Sequence, residues 1–143
     1  MVNRLFFDIN VILDILTGRK PHYAASSRVY RMVEKNRFTG LISILSLSTI
    51  HYILKTSCTH SEAVRLIKLL RDILEIVDAP VQTANLAMDS EWCDFEDALR
   101  YFAAVHGRAD CIITRNPSNF RKSKLPIYTP EEFLEHIEWQ SNH

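Results

Sequence analysis

Glycine is scarce in this chain of 143 residues, occurring only three times. That argues against a glycine-rich loop cradling a phosphate on its backbone amides. Cysteine is equally sparse: Cys58, Cys93 and Cys111 are the full set. The count is odd and no pair has C-x-x-C spacing, which argues against a disulfide framework or a zinc site. Reduced thiols in a cytoplasmic protein are the expectation. No apolar run approaches the roughly 20 residues of a membrane span, so no membrane association is expected. Nor is a secretory leader, because Asp8 and Asn10 interrupt any apolar segment at the N-terminus. An excess of one charge is also missing: Lys+Arg and Asp+Glu stand at 17 each. Without a general basic field, any binding of nucleic acid would need a local basic patch.

What is present is an ordinary globular composition, 47% hydrophobic and 24% charged, of a length that suits one core. A single domain over residues 1–139 is expected, with 140–143 a frayed tail. The run from Leu5 to Phe7 reads as a buried strand, and the segment from Val11 as a helix packed on it. Gly18 fits the end of that helix and Pro21 the first position of the next, which carries Tyr23, Val29, Tyr30 and Val33. Leu41 to Leu45 is the second strand candidate, with Ser46 or Ser48 capping a helix to about Lys55. Thr59 to Glu62 is a capping box before a stripe of Ala63, Leu66, Ile67, Leu70 and Ile73. Leu74 to Val77 is the third strand candidate. Pro80 starts a helix with Val81, Ala84 and Met88 on one face. Asp94 opens another, whose core stripe reads as Phe95, Leu99 and Phe102. Cys111 to Thr114 and Pro126 to Tyr128 are further strand candidates. Thr129-Pro130-Glu131-Glu132 starts a final helix with a capping box. Strands alternating with helices predict an α/β fold with a mostly parallel sheet of four or five strands, covered on both faces. Right-handed crossovers then bring all the strand carboxyl ends to one edge.

Three polar clusters fall on that edge. Asp8 and Asn10 follow the first strand, where open α/β sheets place ligands. Either could instead cap the first helix. Asp94 and Asp97 are three apart and share a helix face. Asp94 reads equally well as an N-cap, whereas Asp97 lies between Phe95 and the apolar pair Ala98 and Leu99. A carboxylate so placed needs a partner or a metal. Thr114, Arg115 and Asn116 follow the fourth strand candidate, and an Asn-Pro turn alone would explain them. Taken together, Asp8, Asp97, Asp94 and the Asn116 carbonyl form a set of hard oxygen ligands, which selects Mg²⁺ or Mn²⁺. Such a cation polarises a phosphoryl oxygen and activates water. Arg115, Arg19, Lys20, Arg121, Lys122 and Lys124 could supply the local basic patch.

The segments D-x-N-V-I-L-D at Asp8 to Asp14, D-F-E-D-A-L at Asp94 to Leu99 and I-I-T-R-N-P-x-x-F at Ile112 to Phe120 resemble the PIN domain. They look most like its small branch related to VapC-type toxins, and the resemblance extends to the ending I-Y-T-P-E-E-F-L. It implies a three-layer α/β sandwich, metal-dependent RNA cleavage, an antitoxin protein as partner and a homodimer. The family's first acid carries over onto Asp8, its third onto Asp97 and its fourth position onto Asn116. The resemblance thus makes Asp8, Asp97 and Asn116 the catalytic set; Asp8 and Asp97, with support from Asp94, are the expected metal ligands. Thr114, Arg115 and Asn10 are expected to contact substrate. The chain departs from the pattern at Thr49, where the family's second acid usually stands; a hydroxyl is a poor substitute for a carboxylate ligand. Asp14 could add charge, or face solvent or a basic neighbour.

The leading expectation is therefore a Mg²⁺- or Mn²⁺-dependent ribonuclease. The alternative is a catalytically weakened module of the same fold that binds RNA or a protein partner. A phosphatase of the haloacid dehalogenase type ranks below both, since Asn10 stands where its second Asp is needed.

Overall fold

The computed structural model describes residues 2–142. Among them are five strands and seven α-helices: β1 (Arg4–Phe7), α1 (Ile9–Thr17), α2 (Tyr23–Glu34), β2 (Thr39–Ser43), α3 (Ile44–Leu54), α4 (His60–Ile73), β3 (Glu75–Val77), α5 (Val81–Asp89), α6 (Phe95–His106), β4 (Cys111–Ile113), β5 (Ile127–Tyr128) and α7 (Pro130–Ser141). A short 3-10 turn, Pro117–Phe120, follows β4. The strands form one sheet in the order β3-β2-β1-β4-β5, and every pairing is parallel.

The central strand sorts its side chains by the period-2 rule. Leu5 and Phe7 face one core, together with Cys111 and Ile113 of β4 and Ile42 of β2. Phe6 faces the other, with Leu41 and Ile112. The first core is closed by Val11 and Ile12 of α1, Val29 and Val33 of α2, Ile50 and Leu54 of α3, Ala63 and Leu70 of α4, and Phe133 of α7. The second is closed by Tyr101, Ala103 and Ala104 of α6, with α5 packed on α6. The result is a three-layer α/β sandwich. Because all five strands run the same way, their carboxyl ends share one edge.

Several boundaries and faces differ from the sequence expectation. The strand expected to run to Leu45 ends at Ser43, whose hydroxyl accepts from the Leu45 amide and caps α3. Ser46 and Ser48 therefore lie inside the helix, and Ile44 and Leu45 are exposed rather than sheet-buried. Pro21 precedes α2, which starts at Tyr23. Thr59 caps α4 as expected, through its hydroxyl and the Glu62 amide. The full reciprocal box occurs at Thr129 and Glu132.

On α5 the buried residues are Thr83 and Ala87, while Val81 and Met88 point outward. On α6 the buried stripe is Ala98, Tyr101 and Ala104, and Phe95 is half exposed. Small alanines let α6 lie close to the sheet, leaving Phe95 half exposed while Phe102, partly buried, packs against the second core. The tail expected to fray is helical through Ser141, with Asn142 as its cap; residue 143 lies outside the described residues.

Gly40 places the β2 backbone against side chains of the first core. A Cβ there would lie 2.5 Å from Leu74 Cδ2 and 3.0 Å from both Phe7 Cε2 and Val33 Cγ1. Gly40→Ala is expected to destabilise the fold by about 1–3 kcal/mol through overpacking. Chemical denaturation of the two proteins checks this.

Candidate active site

The site begins with the way β1 becomes α1. Asp8 is the single residue between them, in extended geometry, and its own amide donates to the Ile113 carbonyl of β4 at 2.9 Å. Its Oδ1 accepts the Ile9 amide at 2.9 Å, so the cap reading of Asp8 holds. Its Oδ2 accepts the Thr114 hydroxyl at 2.8 Å. A carboxylate has about four lone-pair sites, so these two bonds leave capacity for a further partner. The residue is buried, at 4% exposure.

Asp97 arrives from the other face of the sheet, on the first turn of α6, and is 8% exposed. Asp94 caps that helix, its Oδ1 accepting the Asp97 amide at 3.0 Å. Asp94 is itself exposed and lines a cleft together with Asp97. The residue that links the two buried acids is Arg100, which the sequence reading did not single out. Its Nη1 donates to Asp97 Oδ1 at 3.0 Å, its Nη2 to Glu96 Oε2 at 3.3 Å, and its Nε lies 3.7 Å from Asp8 Oδ1. The signal was available: Arg100 is three residues beyond Asp97 and four beyond Glu96, the spacing of helix ion pairs. Burial pushes the Asp97 carboxyl above its usual range, and Asp94 pushes it further. Arg100 opposes the shift without cancelling it, and Asp8 adds to it. The cluster thus carries more negative charge than one arginine neutralises.

The loop after β4 is tied to Asp8 through Thr114. Thr114 is fully buried, donates to Asp8 and accepts the Asn116 amide at 3.1 Å. Its hydroxyl is engaged on both sides and sealed from solvent. Asn116 is exposed, one hydrogen bond away from Thr114. Arg115, expected to meet phosphate, has its Nε 3.1 Å from Oδ2 of Asp14. Asp14 is fully buried and also has Arg19 Nε 3.6 Å from Oδ1. Of the alternatives open for Asp14, the basic neighbour is the one realised. Asn10 is partly buried in the first turn of α1. The structure thus joins Asp8, Asp97 and Thr114 with the Asn116 backbone, and leads Arg115 to a separate buried acid.

Two clefts flank the carboxylates. One of about 570 Å³ is lined by Trp92, Asp94, Asp97, Asn119, Arg121 and Lys122. Trp92 stacks on Tyr101 at 4.8 Å between ring centroids, and Lys122 donates to the Glu91 carbonyl. The other, about 230 Å³, is lined by Ile9, Ser46, Thr49, Glu96, Leu99 and Arg100. Thr49 is exposed there, on the side where a third carboxylate would stand. Among the described residues, no group of three or more His, Cys, Asp or Glu side chains is arranged to hold a metal. Two hard carboxylates with surplus negative charge still fit Mg²⁺, which keeps several waters and binds through one or two carboxylates plus substrate phosphates. They fit it with Arg100 moved aside.

The raised Asp97 carboxyl has a consequence for stability. The folded chain holds that proton more tightly than the unfolded chain does. Its contribution therefore favours folding at low pH and is lost as pH rises from the ordinary aspartate range through the raised one. Asp97→Asn, which can still accept from Arg100, removes that loss. The variant is expected to be more stable than wild type near about pH 7, the difference closing toward about pH 4. Thermal melts across that range check it.

The family model described as "PIN domain" matches residues 4–118. Ribonuclease VapC1 of Aquifex aeolicus is 31% identical over 137 residues, which cover 92% of this chain and 94% of that protein. Among solved structures, VapBC-1 from nontypeable Haemophilus influenzae aligns with a TM-score of 0.67 at 16% identity, over 90% of this chain and 98% of the other. VapBC2 from Rickettsia felis, bound to a promoter DNA fragment, aligns at 0.66 and 15%, over 87% and 96%. At those identities the structural likeness concerns the fold alone. The family model and the bacterial relative reach further: this chain belongs to the PIN domain family.

Proposed function

We propose that the protein is a Mg²⁺- or Mn²⁺-dependent endoribonuclease and the toxin of a toxin–antitoxin pair. The observation that carries this reading is the meeting of Asp8 and Asp97, two buried carboxylates from opposite faces of the sheet, at one edge and with surplus negative charge. A relative named as a ribonuclease supports the activity, and structural neighbours solved as VapBC complexes support a protein partner. A homodimer in the cytoplasm is what the family resemblance adds.

In this reading Asp8 and Asp97 hold the cation, and Asn116 offers a neutral oxygen from the loop beside them. Thr114 keeps the Asp8 carboxylate in one orientation. When bound, Mg²⁺ or Mn²⁺ supplies a Lewis acid for a phosphoryl oxygen and lowers the pKa of an attacking water. The RNA strand lies over the larger cleft, where Arg121 and Lys122 meet its phosphates and Trp92 offers an aromatic edge. Arg115 is left out of the phosphate contacts because of its engagement with Asp14.

Thr49 favours a second reading, a weakened member of the family that binds RNA or a protein without efficient cleavage. One set of assays separates the two. With Mn²⁺ and single-stranded RNA, wild type is expected to cleave, and Asp8→Asn and Asp97→Asn each to lose on the order of 100-fold or more. Equal rates in all three would remove the proposed mechanism. An inactive wild type that gains activity as Thr49→Glu would support the weakened module.

A further inference from the structure

Arg100 stands where the proposed metal would have to act. Its three guanidinium nitrogens each address a different carboxylate: Asp97 at 3.0 Å, Glu96 at 3.3 Å and Asp8 at 3.7 Å. On the two buried acids, the oxygens it approaches are Asp97 Oδ1 and, more distantly, Asp8 Oδ1. A cation held by those acids would need the same two carboxylates. Two positive centres cannot share them closely, so guanidinium and metal compete.

Arg100 is also reachable. Its side chain is 24% exposed and lines the cleft that contains Ser46 and Thr49. A carboxylate at position 49 would have offered the arginine another anchor; a threonine leaves that side of the cleft uncharged. A guanidinium is a planar fork that pairs with phosphate bidentately, and its carboxylate contacts here are spread over three residues.

Resting on the metal-dependent ribonuclease reading, we propose that Arg100 is a built-in counter-cation, displaced from Asp8 and Asp97 by the phosphate backbone of RNA. Without RNA, the arginine holds the acids together and metal binds weakly. With RNA, the guanidinium transfers to a phosphate and frees the carboxylates. Metal and RNA then bind with positive coupling, and the coupling is reciprocal.

The test measures Mn²⁺ binding directly, by water-proton relaxation, rather than cleavage. Wild type and Arg100→Gln are titrated with Mn²⁺ alone, then with a short 2′-O-methyl oligoribonucleotide verified intact after each run. Wild type is expected to bind Mn²⁺ at least about five-fold more tightly when the oligonucleotide is present, the lower end of typical couplings. Arg100→Gln is expected to show that tighter binding without the oligonucleotide, and to gain little from it. Should Arg100→Gln not fold by circular dichroism, Arg100→Met, which keeps an unbranched stem without the charge, carries the same test with the same direction. Equal Mn²⁺ affinity in wild type and variant overturns the proposal while leaving the metal-dependent reading in place. No Mn²⁺ binding to any of the proteins, with or without the oligonucleotide, overturns both.

Discussion

The carboxylate of Asp8 is tied at once to the first helix and to the neighbouring strand. Its Oδ1 takes the amide that opens α1, and its Oδ2 takes the hydroxyl that follows β4. A buried charge is tolerable only when its oxygens are occupied, and these two bonds occupy them from different parts of the chain. They also fix the register of the edge, since the Asp8 amide continues the β1–β4 ladder through Ile113. The oxygens are therefore held in place before any ligand arrives. The interaction caps the helix and leaves the carboxylate at the sheet edge, so the structural reading of Asp8 is compatible with the functional one.

A second buried acid does the complementary work. Asp14 sits one and a half turns along α1, sealed from solvent, and meets Arg115 from the loop after β4 and Arg19 from the turn after α1. Neither carboxylate oxygen makes a well-aligned hydrogen bond within the protein. The pairing is thus Coulombic more than directional. Breaking a buried pair is costly because it strands a charge, and Asp14 accordingly anchors the loop that carries Asn116. Asp8 and Asp14 divide the labour: one faces the cluster around Arg100, the other holds the adjacent loop to the fold.

Much of this was legible in the chain. The strand–acid–helix order at Phe7, Asp8 and Val11 defines the edge, and alternation of strands with helices predicts that later acids return to it. Asp97 stood out because an acid beside Ala98 and Leu99 has little other use. Three things were less legible. The rotation of α6 depends on how closely alanines at 98, 103 and 104 approach the sheet, and Phe95 with Phe102 suggested a different face. The role of Arg100 depends in turn on that rotation: on another face it would be one more surface ion pair. Thr114 looked available to a ligand because hydroxyl residues in loops usually are, but its position at the end of a central strand buries it.

The shape of the sheet constrains how this protein meets others. Its two outer strands are short, three residues in β3 and two in β5, and Pro126 lies just before β5. Short edges and proline leave little main chain on which a foreign strand could pair. The outer strands thus offer little main chain for strand addition, and most of the remaining surface is helix and loop. Specific association would be settled by side chains on curved surfaces, and variants of those surfaces could change a partner without touching the sheet or the acids at its edge.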